Sequence, residues 1–149
     1  MLHLKGAHFT SGRSKFADRV PGSSELTAKV YVKVQFGETE PILAQLDTGA
    51  AWSILDRESI QLLGSSLERL GSMRISTRFG TLRGYLAQAP ITFPADDGQA
   101  LTVTATFFVS EDWPLPLSFL GYSGLLDSIC FALDPQANHF YFGLPTESW

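Results

Sequence analysis

A chain of 149 residues, 44% apolar and 17% charged, is long enough for one domain with a sizeable core, and its composition is that of an ordinary soluble globular protein. With 11 basic against 15 acidic residues the net charge is −4, which argues against binding of nucleic acid through bulk positive charge. The single cysteine, Cys130, excludes an internal disulfide, fits a reducing compartment and reads as a small buried hydrophobe.

Residues 1–24 are polar, carry Gly and Ser, and end in Pro21-Gly22-Ser23-Ser24, so they read as a loose arm with at most one short strand. The remaining residues, 25–149, read as one domain. No basic segment followed by an apolar run marks the start as a leader. From Ala28 to Phe36 apolar and polar residues alternate strictly, with Ala28, Val30, Val32, Val34 and Phe36 on one face. That period of two predicts a half-buried strand. Gly37 to Pro41 is a turn, and Ile42 to Leu46 should pair back as the second strand of a hairpin that ends at Asp47.

Asp56 to Gly64 predicts a short helix, capped by Asp56 and closed by Gly64. Arg74 to Ala89 reads as a hairpin whose tip lies near Gly80 and Gly84, and Leu101 to Val109 as another alternating strand. Pro114 to Gly121 predicts an apolar strand, Tyr122 to Ile129 a short helix, and Cys130–Leu133 and Phe140–Phe142 the last strands. Trp113 to Leu133 is apolar, but Pro114, Pro116, Gly121, Gly124 and Asp127 interrupt any continuous membrane-spanning helix. Many short strands with two short helices predict an all-β, barrel-like domain, soluble, cytoplasmic and without a membrane partner.

The most informative stretch is Ala44 to Leu55, where an apolar strand runs into Asp47-Thr48-Gly49-Ala50. A carboxylate at the end of a buried strand is costly unless hydrogen bonds or a partner stabilise it. Gly49 lets the chain turn and brings a backbone N–H to the carboxylate, and Thr48 adds a hydroxyl that donates and accepts. Such an Asp is either a structural cap or a working acid/base. No other chemistry competes. His3, His8 and His139 are scattered without metal-ligand spacing, no phosphate loop or nucleophile elbow is present, and no metal or cofactor is expected. Arg74, Arg78 and Arg83 mark a polar face, either solvated or steering a substrate.

Asp47, Thr48, Gly49, Ala50 and Ser53, with the apolar strand before them and Ile54-Leu55 after, resemble the active-site loop of the retropepsin-like aspartic proteases. A hairpin follows in the place of that family's flap, then Phe119-Leu120-Gly121 with Leu125-Leu126, resembling the apolar-apolar-Gly segment and helix that pack on the active loop. The likeness runs over roughly residues 26 to 143. It departs from viral members at Ala51, where they carry an acid, at Tyr122, where they carry Arg, and at the hairpin tip, which has fewer glycines. These departures point to a non-viral member, bacterial or cellular.

The resemblance implies a closed or partly open β-barrel of the acid-protease type with one or two short helices, active as a C2 homodimer that hydrolyses extended polypeptides. Asp47 is then catalytic, with Thr48, Gly49, Ala50 and Ser53 supporting its loop. Trp52, Phe79, Gly80, Thr81, Leu82, Arg83 and Gly84 form the candidate flap and substrate groove, with packing as the plainer role for Trp52 and Phe79. Phe119, Leu120 and Gly121 brace the loop. The chain holds one Asp-Thr-Gly and no Asp-Ser-Gly, so a second carboxylate must come from another copy, as twofold symmetry supplies. Two readings compete: a retropepsin-like binding or scaffold domain that no longer cleaves, and an unrelated ligand-binding barrel with Asp47 as a cap.

Overall fold

The computed structural model describes residues 1–18 and 29–145. Pro21–Ser24, Ala28 and the expected boundary after residue 24 lie outside the described residues. In chain order the strands are β1 (His3–Leu4), β2 (Ala7–His8), β3 (Gly12–Lys15), β4 (Tyr31–Val34), β5 (Ile42–Leu46) and β6 (Ser53–Ile54). After helix α1 (Arg57–Leu63) come β7 (Glu68–Thr77), β8 (Gly80–Phe93), β9 (Asp97–Gly98), β10 (Leu101–Val109), β11 (Phe119–Leu120), β12 (Cys130–Asp134) and β13 (His139–Gly143). Mostly-β architecture is therefore observed as expected. No helix of the described residues is long and apolar enough to cross a membrane.

The expected closed barrel is not found. The strands fall into a two-stranded pair β1-β2, a seven-stranded sheet in the order β4-β5-β11-β6-β10-β8-β7, and a four-stranded sheet β12-β13-β3-β9. The large sheet stays open because β7, one of its edges, pairs only with β8 among the described residues. A single bridge between Gln35 and Thr92 ties the end of β4 to the far half of β8, which curls the sheet without closing it.

Hairpin β4-β5 forms as expected, with Tyr31 opposite Gln45 and Val34 opposite Ile42. Val32, Val34 and Phe36 are buried as the alternation requires. Tyr31, on the other face, is buried too, because Ala17 bridges to it. The start of the chain is thus more structured than a loose arm: Ser14 is buried and β3 pairs with β13 from Gly12–Phe142 to Lys15–His139. Phe93, Phe140 and Phe142 pack with centroids under 6 Å apart and join the same core as Val34, Ile91, Phe107 and Leu120. Fully burying such a side chain stabilises the fold by about 1.5–3 kcal/mol.

Helix α1 begins and ends as its caps dictate: Asp56 Oδ1 accepts the Ser59 N–H at 2.9 Å, and Gly64 takes a positive φ of 48° and donates its N–H to Ile60 O. Four other expectations are corrected. Tyr122–Ile129 is a turn with a single 3-10 turn at Leu126–Ser128, because Gly124 sits at φ 78°, outside helical space. Pro114–Leu117 is not strand; only Phe119–Leu120 joins the ladder. Gly84 is not at the hairpin tip but inside β8, opposite Met73, where a Cβ would overlap the Val109 carbonyl oxygen. Cys130 is half-buried rather than buried, and that burial pushes its thiol pKa up.

Asp96, on the turn before β9, links the two larger sheets. Its Oδ2 accepts the Lys15 N–H at 2.8 Å and its Oδ1 the Lys33 ammonium at 3.1 Å. The Lys15 backbone N–H, and then Lys33, hold its carboxyl below the usual range. A depressed folded pKa contributes stability above the unfolded value, about 3.9, and loses it as pH falls through the folded one. Asp96→Asn is therefore expected to unfold at lower urea than the wild type at neutral pH, with the gap closing as acid protonates the carboxyl in the folded protein, read from denaturation midpoints.

Candidate active site

Sequence neighbours β5 and β6 do not pair with each other. β11, from more than sixty residues later, lies between them, parallel to β5 (Phe119 opposite Gln45, Leu120 opposite Leu46) and antiparallel to β6 (Phe119 opposite Ile54). The chain from Asp47 to Trp52 must therefore arch over the end of β11. The arch is pinned at several points. Asp47 N–H donates to Leu120 O at 2.9 Å, Tyr122 N–H to Ala50 O and Ser123 N–H to Ala51 O, each at 2.8 Å. Ser53 is buried, and its Oγ accepts the Gly121 N–H at 2.8 Å. That gives the motif's serine a definite role: it ties the two halves of the loop assembly.

Gly121 is required by this crossing. A Cβ there would overlap the carbonyl group of Trp52 and come within 2.8 Å of the Ser53 nitrogen. Phe119 and Leu120 pair beside the loop's two strands, and Gly121 lies against the loop backbone. Asp47 itself is half-buried, and Thr48, Gly49 and Ala51 are exposed. Gly49 N–H donates to Asp47 Oδ1 at 3.0 Å, and a Cβ on Gly49 would stand 3.3 Å from that oxygen. Ala50 N–H closes the turn on Asp47 O at 3.1 Å.

A second carboxylate nine residues later shows what a structural acid looks like here. Asp56 is 6% exposed. Its Oδ1 accepts from Ser59 N–H and lies 3.2 Å from Ser118 Oγ, which in turn accepts the Asp56 N–H at 2.9 Å. Asp56 Oδ1 is thus engaged within the chain by both Ser59 and Ser118, as a buried cap demands. Asp47, by contrast, has one donor and a face open to an adjoining cavity.

That cavity, about 480 Å³, brings Asp47, Gly49, Ala50 and Trp52 together with Ile75, Thr77, Arg78 and Phe79 of the β7-β8 hairpin. Of the expected flap, only Phe79 lines it. Gly80, at φ 98°, makes the turn, and Thr81 continues up β8. Leu82 is buried beneath the hairpin, while Arg83 and Gly84 border a different cavity with Met73 and Arg74. Trp113 and Phe119 complete the wall. Phe79 meets the Trp113 ring edge-on at 5.7 Å, Trp113 meets Phe119 at 5.1 Å, and Trp113 Nε1 is fixed by donating to Leu117 O at 3.0 Å. The hairpin tip is thereby connected by ring contacts to the strand that braces Asp47. Sequence reasoning missed Trp113 in this role; its only signal was a large aromatic just ahead of a Pro-rich approach to Phe119.

No family model matches the chain, and no curated protein matches it. Among solved structures it is similar to a retropepsin-like aspartic protease from Rickettsia conorii, with a TM-score of 0.49 and 19% identity over 88% of this chain and 90% of that one. What the site can do is read from its own residues. A carboxylate on an exposed turn, held by one backbone N–H beside an apolar cavity, is placed to accept or give a proton to a molecule bound there.

Three stability measurements check this anatomy. Gly121→Ala is expected to cost about 3 kcal/mol, since the added methyl must displace backbone rather than a side chain. Asp56→Ala is expected to cost about 2 kcal/mol through loss of the cap and of a buried acceptor, whereas Asp47→Asn leaves the urea midpoint close to the wild-type value.

Proposed function

We propose that the chain is an aspartic endopeptidase of the retropepsin type, in which two copies each contribute Asp47 to one water. The observation that carries this reading is the Asp47 loop: a carboxylate oriented by Gly49 N–H, arched over Phe119-Leu120-Gly121, and opening on a cavity walled by the hairpin tip. A purely structural Asp has no use for such exposure, as Asp56 illustrates. The exposed residues around it, Thr48, Gly49, Ala51 and Tyr122 at 54%, supply the surface on which a second copy would sit.

Across a twofold axis the two carboxylates would face each other and share one proton, because two like charges at close range do not both ionise cheaply; aspartic proteases are themselves the general example of such a pair. The ionised Asp47 takes a proton from the water as its oxygen attacks the scissile carbonyl carbon. The protonated partner donates to the carbonyl oxygen, giving a neutral tetrahedral diol. Collapse breaks the C–N bond as the nitrogen takes a proton, releasing a carboxylic acid and an amine and restoring the shared proton. Thr48 would hydrogen-bond across the axis and hold the pair near coplanar. The β7-β8 tip would cover an extended peptide, whose backbone can pair with the strands beside it.

The test is turnover of an unbiased peptide mixture by wild type beside Asp47→Asn, with sedimentation of both. Cleavage that is lost by at least about a thousandfold in the variant, with both proteins folded and self-associating, is the expected result, since a single essential acid/base contributes on that order. Cleavage by a chain that stays monomeric at micromolar concentration, or cleavage retained by the variant, would overturn the mechanism. A folded, associating wild type that binds peptides and cuts none would move the assignment to the non-cleaving binding domain.

A further inference from the structure

From the charges on the walls of the Asp47 cavity we infer that its substrates carry an acidic residue beside the apolar one, and that Arg78 reads it. This rests on the reading of the cavity as a peptide groove and adds a substrate class to it. The cavity wall is apolar and aromatic through Trp52, Ile54, Ile75, Phe79 and Phe119, which suits one large apolar side chain. Apart from Asp47, the charged side chains lining it are both cations, Lys29 and Arg78. An acidic side chain entering beside the apolar one meets attraction there, and a basic one meets repulsion.

Arg78 is presented rather than dangling. The turn that carries it is locked by Thr77, whose Oγ1 accepts the Phe79 N–H at 3.0 Å and donates to Gly80 O at 3.1 Å. The guanidinium lies over the Phe79 ring, 4.9 Å from its centroid, and makes no ion pair with a carboxylate among the described residues. A planar fork stacked on an aromatic ring keeps its donors aimed outward and matches a carboxylate in two parallel hydrogen bonds. The balance of charge also changes across Trp113: on its far side a separate cavity is lined by Asp56, Glu58, Glu111 and Asp112 against one cation, Arg57. An acidic substrate residue is therefore favoured only on the hairpin side of the groove.

The experiment is a panel of peptides with a Phe-Leu centre in a Gly/Ala background, in which Glu, Gln or Lys is walked through the three positions on either side. At low salt, kcat/KM for the Glu peptide is expected to exceed that for the Lys peptide about tenfold at one position on one side, as for a partly exposed charge contact that both attracts and repels. The ratio shrinks at 0.5 M NaCl, falls to near one in Arg78→Gln and inverts in Arg78→Glu. Binding of the same peptides to Asp47→Asn, followed by fluorescence polarisation, gives a second readout that does not need turnover. If nothing is cut but the variant still prefers Glu peptides in an Arg78-dependent way, the inference stands and the protease reading falls. Equal handling of Glu and Lys peptides, a ratio unchanged in Arg78→Glu, or no binding at all would overturn the inference.

Discussion

The insertion of β11 between β5 and β6 is the constraint on which the rest of the molecule depends. Two strands that follow each other in sequence are held apart by a third from far along the chain, so their connection cannot relax into a simple hairpin turn. The loop becomes an arch with fixed ends, and its first residue is Asp47. The arch fits only because residue 121 has no side chain and because Ser53 accepts the one N–H that the crossing would otherwise strand. Long-range pairing is costly in chain entropy, and the buried Phe107, Leu120 and Leu125 around it are what offset that cost.

Aromatic packing extends this constraint outward. Trp113 is held at its indole N–H, Phe119 supports it from beneath, and Phe79 at the hairpin tip rests against its edge. Ring pairs of this kind contribute roughly 0.5–1.5 kcal/mol each beyond their buried area, enough to bias a hairpin and little enough to be released by a ligand. The hairpin is thus neither free nor locked. Its position depends on the same strand that orients the carboxylate, so the roof and the floor of the cavity share one support.

Local patterns were legible in the sequence and distant ones were not. The Asp47 loop was readable because its residues are contiguous and each has a local reason to be there. Helix α1 was readable from Asp56 and Gly64, and β4 and β10 from their alternation. Tyr31 went astray because its burial comes from Ala17, fourteen residues upstream, and nothing in its own strand announces that cover. Gly84 looked like a turn residue, yet it is needed where β8 passes close to Val109. Trp113 joins the site only through the crossing of β11. Gly124 against the 122–129 helix, and Pro114 and Pro116 against a strand over 114–117, were local signals overlooked, and the open sheet followed from which edges find partners.

The edges of the seven-stranded sheet have different fates. At one, Ala17 bridges to Tyr31 of β4, and Thr92 of β8 bridges to Gln35 just past its end. At the other, β7 presents a ten-residue strand with no second neighbour among the described residues, the kind of border along which chains stack into aggregates. This border is poorly suited to that. The register slips between Arg69 and Gly71, leaving Leu70 half out in solvent at 52%. Arg69 and Arg74 line the strand and Arg78 stands just past its end. A bulge breaks the even spacing that a new strand would copy, and the charges of Arg69, Arg74 and Arg78 outnumber the one acid of the strand, Glu68, so an identical neighbour meets a like-signed border. Growth of a continuous sheet from copy to copy is discouraged along this border, although its outer backbone is unpaired among the described residues.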